Sequence, residues 1–292
     1  MAGESTKKTL KTALKLLLTG LALYLVFRKI DTTQLLQVVK TIQWLWLIPA
    51  VLFFAGSKIA TAFRLNLYFK NIGLYISERQ NWRLYLVGMF YNLFLPGGIG
   101  GDGYKIYLLN KHYKTPGKSL VQASLLDRLG GLVAIVFLLL ALVLPVDLTL
   151  PAASQIPWEL LVGIAALLVF PAFWLMQKLL LKAFLPSFWK ANAWSMAGQL
   201  AQLVCAWFIL KSLGVTESFL AYQLVFLLSS IVAVLPLTIG GVGARELVFV
   251  YAHTYVGIDE AIAVAFSLIF FLISAAVSLI GAGVKTGFEE NG

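Results

Sequence analysis

The chain carries too little charge to be a soluble protein. Charged residues fill 12% of its 292 positions, about half the roughly 25% of an ordinary soluble domain. Acids are the scarcer sign, 13 against 23 basic residues. One cysteine, Cys205, excludes an internal disulfide. Two histidines, His112 and His253, stand apart without metal-ligand spacing. No Ser/His/Asp or CxxC arrangement appears, so neither a cofactor nor a metal is expected. What fills the space is apolar: 60% of residues, with a mean hydropathy of +0.87. No soluble fold hides that much apolar surface, and the expectation is an all-α polytopic membrane protein forming a single membrane domain over 1–292. The net charge of +10 then suits cytoplasmic loops and anionic lipid head groups rather than nucleic acid.

Apolar runs of about 20 residues mark spanning helices. They fall at about Leu10–Phe27, Trp44–Tyr68, Leu120–Leu144, Trp158–Met176, Trp194–Leu213 and Ile262–Val284. The first begins among Lys7, Lys8, Lys11 and Lys15, like a signal peptide. It is too long for one and lacks a cleavage site, so it reads as a retained helix. Trp44, Trp46, Trp158, Trp189 and Trp194 sit at run ends, as interfacial anchors do. Lys29–Gln43 and Lys178–Lys190 read as short helices lying on the membrane surface.

Two glycine-rich segments interrupt the pattern. Leu95-Pro96-Gly97-Gly98-Ile99-Gly100-Gly101-Asp102-Gly103-Tyr104-Lys105 and Leu235-Pro236-Leu237-Thr238-Ile239-Gly240-Gly241-Val242-Gly243-Ala244-Arg245 share the pattern L-P-x-x-I-G-G-x-G-x-[K/R], 140 residues apart. Proline and glycine end helices, and lipid offers no water to the freed backbone groups. Such breaks survive at membrane depth only inside protein or beside a cavity. Broken segments at matching positions of two halves point to a transporter binding site. The flanking runs are short: Trp82–Leu95 reaches only about 21 Å as a helix, against a hydrocarbon core of about 30 Å. Tyr104–His112 and Ala244–Val256 are shorter still, and Ser218–Leu235 is borderline.

Flanking charge orients the segments. Arg79 and Arg83 precede the first break, and Lys105, Lys111, Lys114 and Lys118 follow it, so both flanks read as cytoplasmic. Pro145–Pro157 lacks Lys and Arg and reads as external. The second break has no basic residue at its flanks after Lys211 and reads as entering from outside. Arg28 and Lys29, on the outside in this scheme, run against it. Six spanning helices plus two re-entrant helical hairpins result, in an inverted-repeat arrangement. The first repeat is 1–147 with its hairpin at about 82–112. The second is 148–292 with its hairpin at about 218–257. Both termini read as cytoplasmic, in an inner membrane.

Few charges lie within these segments, and intramembrane charges are costly, hence candidates for function. Asp127 and Arg128 fall about three turns into a helix, about 13 Å deep. Arg128 reads as a phosphate contact in a polar groove, or both residues as members of structural ion pairs. Arg245 and Glu246 open the helix after the second break, where free N–H groups favour anions and a guanidinium fork suits phosphate. The alternative is an Arg245–Glu246 cluster sealing the hairpin tip. Lys105, the counterpart of Arg245, reads equally as a second phosphate contact or as a lysine snorkelling to the interface. Asp102 and Glu246 are the acids best placed for proton coupling, with helix capping as the alternative. Arg64 reads as an interfacial snorkelling arginine or a head-group contact. Asn92 reads as a head-group contact or a bond back across the hairpin. Gly98-x-Gly100-x-x-Gly103 matches a dinucleotide fingerprint but lacks the strand that motif requires. The aromatic run Phe266 to Phe271 reads as packing or lipid-facing.

The combination of Phe63-Arg64 with Gly73, Asn92-x-x-x-Pro96-Gly97-Gly98 with Gly101-Asp102, Asp127-Arg128-x-x-Gly131, and Pro236 with Gly240-Gly241-x-Gly243-x-Arg245-Glu246 resembles the lysylphosphatidylglycerol synthase transmembrane (flippase-like) family. The resemblance covers nearly the whole chain. It implies an integral membrane protein that moves a lipid, or a lipid-linked head group, between leaflets. The sequence ends without the soluble aminoacyl-transferase region of the bifunctional members, so lysyl-lipid synthesis is not expected. Anionic phospholipid, aminoacylated phosphatidylglycerol and polyprenyl-phosphate sugar would all offer a phosphate to the same basic residues. Two other classes remain open. One is an enzyme acting on lipid phosphates, for which Asp102 with Glu246 is a sparse acid pair. The other is an accessory partner of a lipid-modifying or glycosyl-transferring enzyme.

Overall fold

A computed structural model describes residues 24, 32–94, 99–146, 157–234 and 243–286. Among them it places ten α-helices and no strand: α1 (Thr32–Lys40), α2 (Leu47–Asn71), α3 (Glu78–Phe94), α4 (Gly100–Tyr113), α5 (Gly117–Val143), α6 (Trp158–Leu180), α7 (Phe188–Ser212), α8 (Phe219–Val234), α9 (Ala244–Val256) and α10 (Glu260–Leu279). Helices satisfy their own backbone groups, which is what lipid demands. Five stretches are long and apolar enough to cross a membrane: Trp44–Asn71, Gly117–Val143, Trp158–Leu180, Lys182–Ser212 and Glu260–Gly283. They coincide with five of the six expected spans. The sixth, Leu10–Phe27, lies outside the described residues, as do Pro96, Gly97, Gly98, Pro236, Gly240 and Gly241 of the hairpin breaks.

The spans differ in how much they bury. Only 6% of the α6 window is covered, against 56% for α10. So α6 is peripheral and α10 central. Both α2 and α7 run on through a short turn and stop beside a glycine of positive φ, Gly73 (77°) and Gly214 (76°), a conformation that glycine adopts without steric cost.

Lys178–Lys190 does not form a surface helix. Here α6 continues to Leu180, a 3-10 turn covers Lys182–Ser187, and α7 begins at Phe188. Phe184 and Phe188 are fully buried against Tyr68 and Phe173. Burying those two rings pulls the segment into the fold, whatever its lysines suggest. Within Lys29–Gln43, of which residues 29–31 lie outside the described residues, Thr32–Lys40 forms α1.

Element bounds recur at an offset near 140 residues. Moved by that distance, α2, α3 and α5 land on α7, α8 and the α10 stretch, and α4 overlaps α9. The packing pairs recur too: α3 on α4 as α8 on α9, α5 on α8 as α10 on α3, and α6 on α5 as α1 on α10. The mates α2 and α7 pack on each other, with Gly198 close against the Ser57 carbonyl and Phe63 stacked on Trp194 at 5.0 Å.

Two apolar clusters form the interior. One holds Phe54 of α2, Ile135 and Leu138 of α5, and much of α7 to α10 from Leu203 onward. The other holds Leu65, Tyr68 and Phe69 of α2, Leu120 and Leu126 of α5, and Phe188 and Ala191 of α7. Each of these three long helices is therefore apolar on both sides of a polar stretch. That stretch contains Ser57 to Arg64 in α2, Asp127 and Arg128 in α5, and Asn192 to Gln199 in α7. The polar layer sits mid-helix. Asp127, ten residues into α5, lies about 15 Å from its start.

Candidate functional site

The polar layer lines an open cavity of about 290 Å³. Lys58, Arg64, Lys105, Arg128 and Arg245 line it, with Asp102 and Asp127 as the acids. Five bases against two acids leave a formal excess of three positive charges. Both broken segments reach it: Asn92 and Asp102 flank the first, and Ala233, Val234 and Arg245 flank the second. A neighbouring space of about 250 Å³ shares Lys58, Tyr85, Asn92 and Arg245 and extends to Phe271, Ser274 and Ser278 of α10.

Two ion-pair systems line the cavity. Arg64, buried in α2, donates from Nε to Asp127 Oδ1 at 2.7 Å and from Nη1 to Ser195 Oγ at 2.9 Å. It thereby ties α2 to α5 and α7. Gly130 and Gly131 make room for it, since a Cβ on Gly131 would lie 3.4 Å from Arg64 Nη1. Asp102, in the first turn of α4, bridges the second system. Its Oδ1 faces Lys105 Nζ at 2.8 Å and its Oδ2 accepts from Arg128 Nε at 2.6 Å. Lys105 is itself buried and packs under Gly88 and near the Tyr85 ring.

The starts of α4 and α9, the helices after the breaks, find acceptors within the fold. Asn92 Oδ1 accepts the Gly101 N–H at 2.8 Å, so the α4 N-terminus is capped across the break. A Cβ on Gly101 would collide with the Gly88 carbonyl, so only glycine lets α3 and α4 approach this closely. In the second hairpin, Glu246 Oε2 accepts the Gly243 N–H at 2.6 Å and Oε1 accepts from Ser267 Oγ at 2.7 Å. Glu246 is 1% exposed. Gly100 and Gly103 lie in the first turn of α4, and Gly103 has open space around it.

Three of the alternatives do not match this geometry. Arg64 does not snorkel: it is 4% exposed and held in the polar layer. Lys105 does not snorkel either, because Asp102 one turn away holds it inside. Arg245 and Glu246 form no mutual cluster. Glu246 turns back to its own helix end, while the Arg245 guanidinium lies 4.9 Å from the Phe270 ring centre and 5.9 Å from that of Phe226. Among the described residues no carboxylate comes within 4.0 Å of Arg245. Of the alternatives left open, Asn92 takes the bond across the hairpin, and both Asp127 and Arg128 take ion pairs while also lining the cavity.

Lys58, Gln199 and Ser230 line the cavity without having been singled out in the sequence. Lys58 had a usable signal. It is a charge in the middle of the apolar stretch Trp44–Asn71, where an ionisable residue is a functional candidate by default. Gln199 and Ser230 had none, being ordinary polar residues in helices.

The model of the lysylphosphatidylglycerol synthase TM region matches residues 12–281. The chain belongs to that family. The match spans nearly its whole length, and no curated protein matches it. As a member of this family with five described spanning-length helices, the chain is a multi-pass membrane protein involved in lipid handling. All the charged candidates taken from the family-like motifs, except Glu246, line one cavity.

Proposed function

We propose that this protein moves a phosphate-bearing lipid between the leaflets of the cytoplasmic membrane, with the phosphate held in the mid-helix cavity. The observation that carries the reading is the excess of positive charge in a cavity reached by both broken helices. A bare charge in a bilayer interior is costly. A cavity with five bases is stable there only if acids, water or an anionic ligand compensate them, and the two acids present do not suffice.

The remaining expectations belong to the same proposal. The two broken segments are re-entrant hairpins of an inverted repeat, with both termini cytoplasmic. What supports this is the 140-residue recurrence of elements and packing pairs, together with helices of 14 and 13 residues after the breaks, too short to span. Arg128, Arg245 and Lys105 are the phosphate contacts. Lys105 and Arg245, at equivalent positions, would pass the head group from one half-site to the other.

The test is head-group accessibility of fluorescent lipids in proteoliposomes, across anionic, zwitterionic and polyprenyl-phosphate lipids. The wild type is expected to move a phosphate-bearing class faster than protein-free vesicles. Arg128→Ala/Arg245→Ala is expected to lose that movement while remaining folded. Folded, oriented protein that moves no lipid would overturn the proposal in favour of an enzyme or an accessory subunit.

A further inference from the structure

Resting on that reading, the positions of Lys58 and Arg245 narrow the ligand. Both line the cavity and the adjoining space. Neither has a carboxylate within 4.0 Å among the described residues. Their described neighbours are aromatic faces: Lys58 Nζ lies 4.6 Å from the Phe54 ring centre, and Arg245 lies over Phe226 and Phe270. Aromatic faces stabilise a cation without neutralising it. The three other bases share Asp102 and Asp127. The cavity therefore carries three bases paired with acids and two cations without such a pair among the described residues. Ser274 and Ser278 line the adjoining space, and the Ser274 hydroxyl adds a donor there.

We infer that Lys58 and Arg245 form a subsite for a doubly charged phosphomonoester, and that the protein prefers a lipid ending in a phosphomonoester to a phosphodiester lipid. A phosphodiester carries one negative charge and leaves one of the two cations unmatched. A phosphomonoester above its second ionisation, near pH 6, carries nearly two and matches both. The guanidinium supplies a planar fork and the ammonium a point charge, a pairing suited to three free phosphate oxygens.

The experiment measures binding of dioctanoyl phosphatidic acid, dioctanoyl phosphatidylglycerol and inorganic phosphate to the full chain in detergent by isothermal titration calorimetry, at pH 5 and pH 8. The phosphatidic acid is expected to bind at least about tenfold more tightly than the diester at pH 8, equivalent to about 1.4 kcal/mol. That advantage is expected to shrink at pH 5, and to vanish in Lys58→Met while surviving in Lys58→Arg. Weak binding of inorganic phosphate identifies a lipid as the source of the phosphate. Inorganic phosphate binding as tightly as the lipid would overturn the lipid assignment. Equal affinity for the two lipids at pH 8 in the wild type overturns the inference without any variant, and leaves lipid translocation standing. Failure of all three to bind overturns the translocation reading as well.

Discussion

The two sides of the cavity are built from matching elements and use charge differently. On the first side each acid faces a base: Asp127 holds Arg64, and Asp102 holds Lys105 and Arg128. On the second, Glu246 turns away to cap its own helix and to bind Ser267. Arg245 is left over aromatic rings with no carboxylate within 4.0 Å among the described residues. The position 140 residues after Asp127 is Ser267, so α10 carries a hydroxyl where α5 carries a carboxylate. A shared scaffold thus holds one set of cavity charges matched by acids, with the buried Arg64–Asp127 pair tying helices together, and another set without such a match. Stability and binding should separate along this line.

The largest stability effect is expected at Asp127. Asp127→Ala leaves Arg64 buried and unpaired, a loss of about 3–5 kcal/mol, read by thermal unfolding in detergent. Replacing both partners, as Arg64→Met/Asp127→Leu, should cost clearly less, because no orphaned charge remains. Gly101→Ala comes next. Its Cβ must push α3 from α4 at the Gly88 carbonyl, at about 1–3 kcal/mol, measured in the same way. On the second side, Glu246→Ala removes the acceptor for Gly243 N–H and Ser267 Oγ. About 1–3 kcal/mol is expected, with Glu246→Gln recovering part of it. The smallest effect belongs to the Lys70–Glu78 pair, whose side chains are 41% and 44% exposed. Lys70→Ala should cost less than about 1 kcal/mol.

Five of the six spans were legible in the sequence because each rests on a local rule. Twenty apolar residues make a span, and glycine and proline end one. The bounds of α9, Ala244–Val256, follow directly from the break before it and Gly257 after it. The charge partners were not legible. Arg64 and Asp127 are 63 residues apart, and only the packing of α2 on α5 brings them together. Glu246 looked like a partner for its neighbour Arg245. Adjacent residues on a helix do not face each other, and position three in the helix puts Glu246 within reach of the orphan Gly243 N–H instead. The charge of Lys58 in mid-span was legible, but its role was not. Its role depends on facing the cavity rather than lipid, which three-dimensional packing decides. Lys178–Lys190 misled through its lysines, since the two buried phenylalanines set its path.

The most direct test pairs two readouts on one substitution, Arg245→Gln, in the same purified protein. Translocation of the lipid class that the wild type moves is expected to fall at least about tenfold, equivalent to about 1.4 kcal/mol. The melting temperature is expected to stay within a few degrees of wild type, since no ion pair is broken. A variant that moves lipid at the wild-type rate, or that unfolds as readily as Asp127→Ala, would contradict the division between a structural and a ligand-facing side.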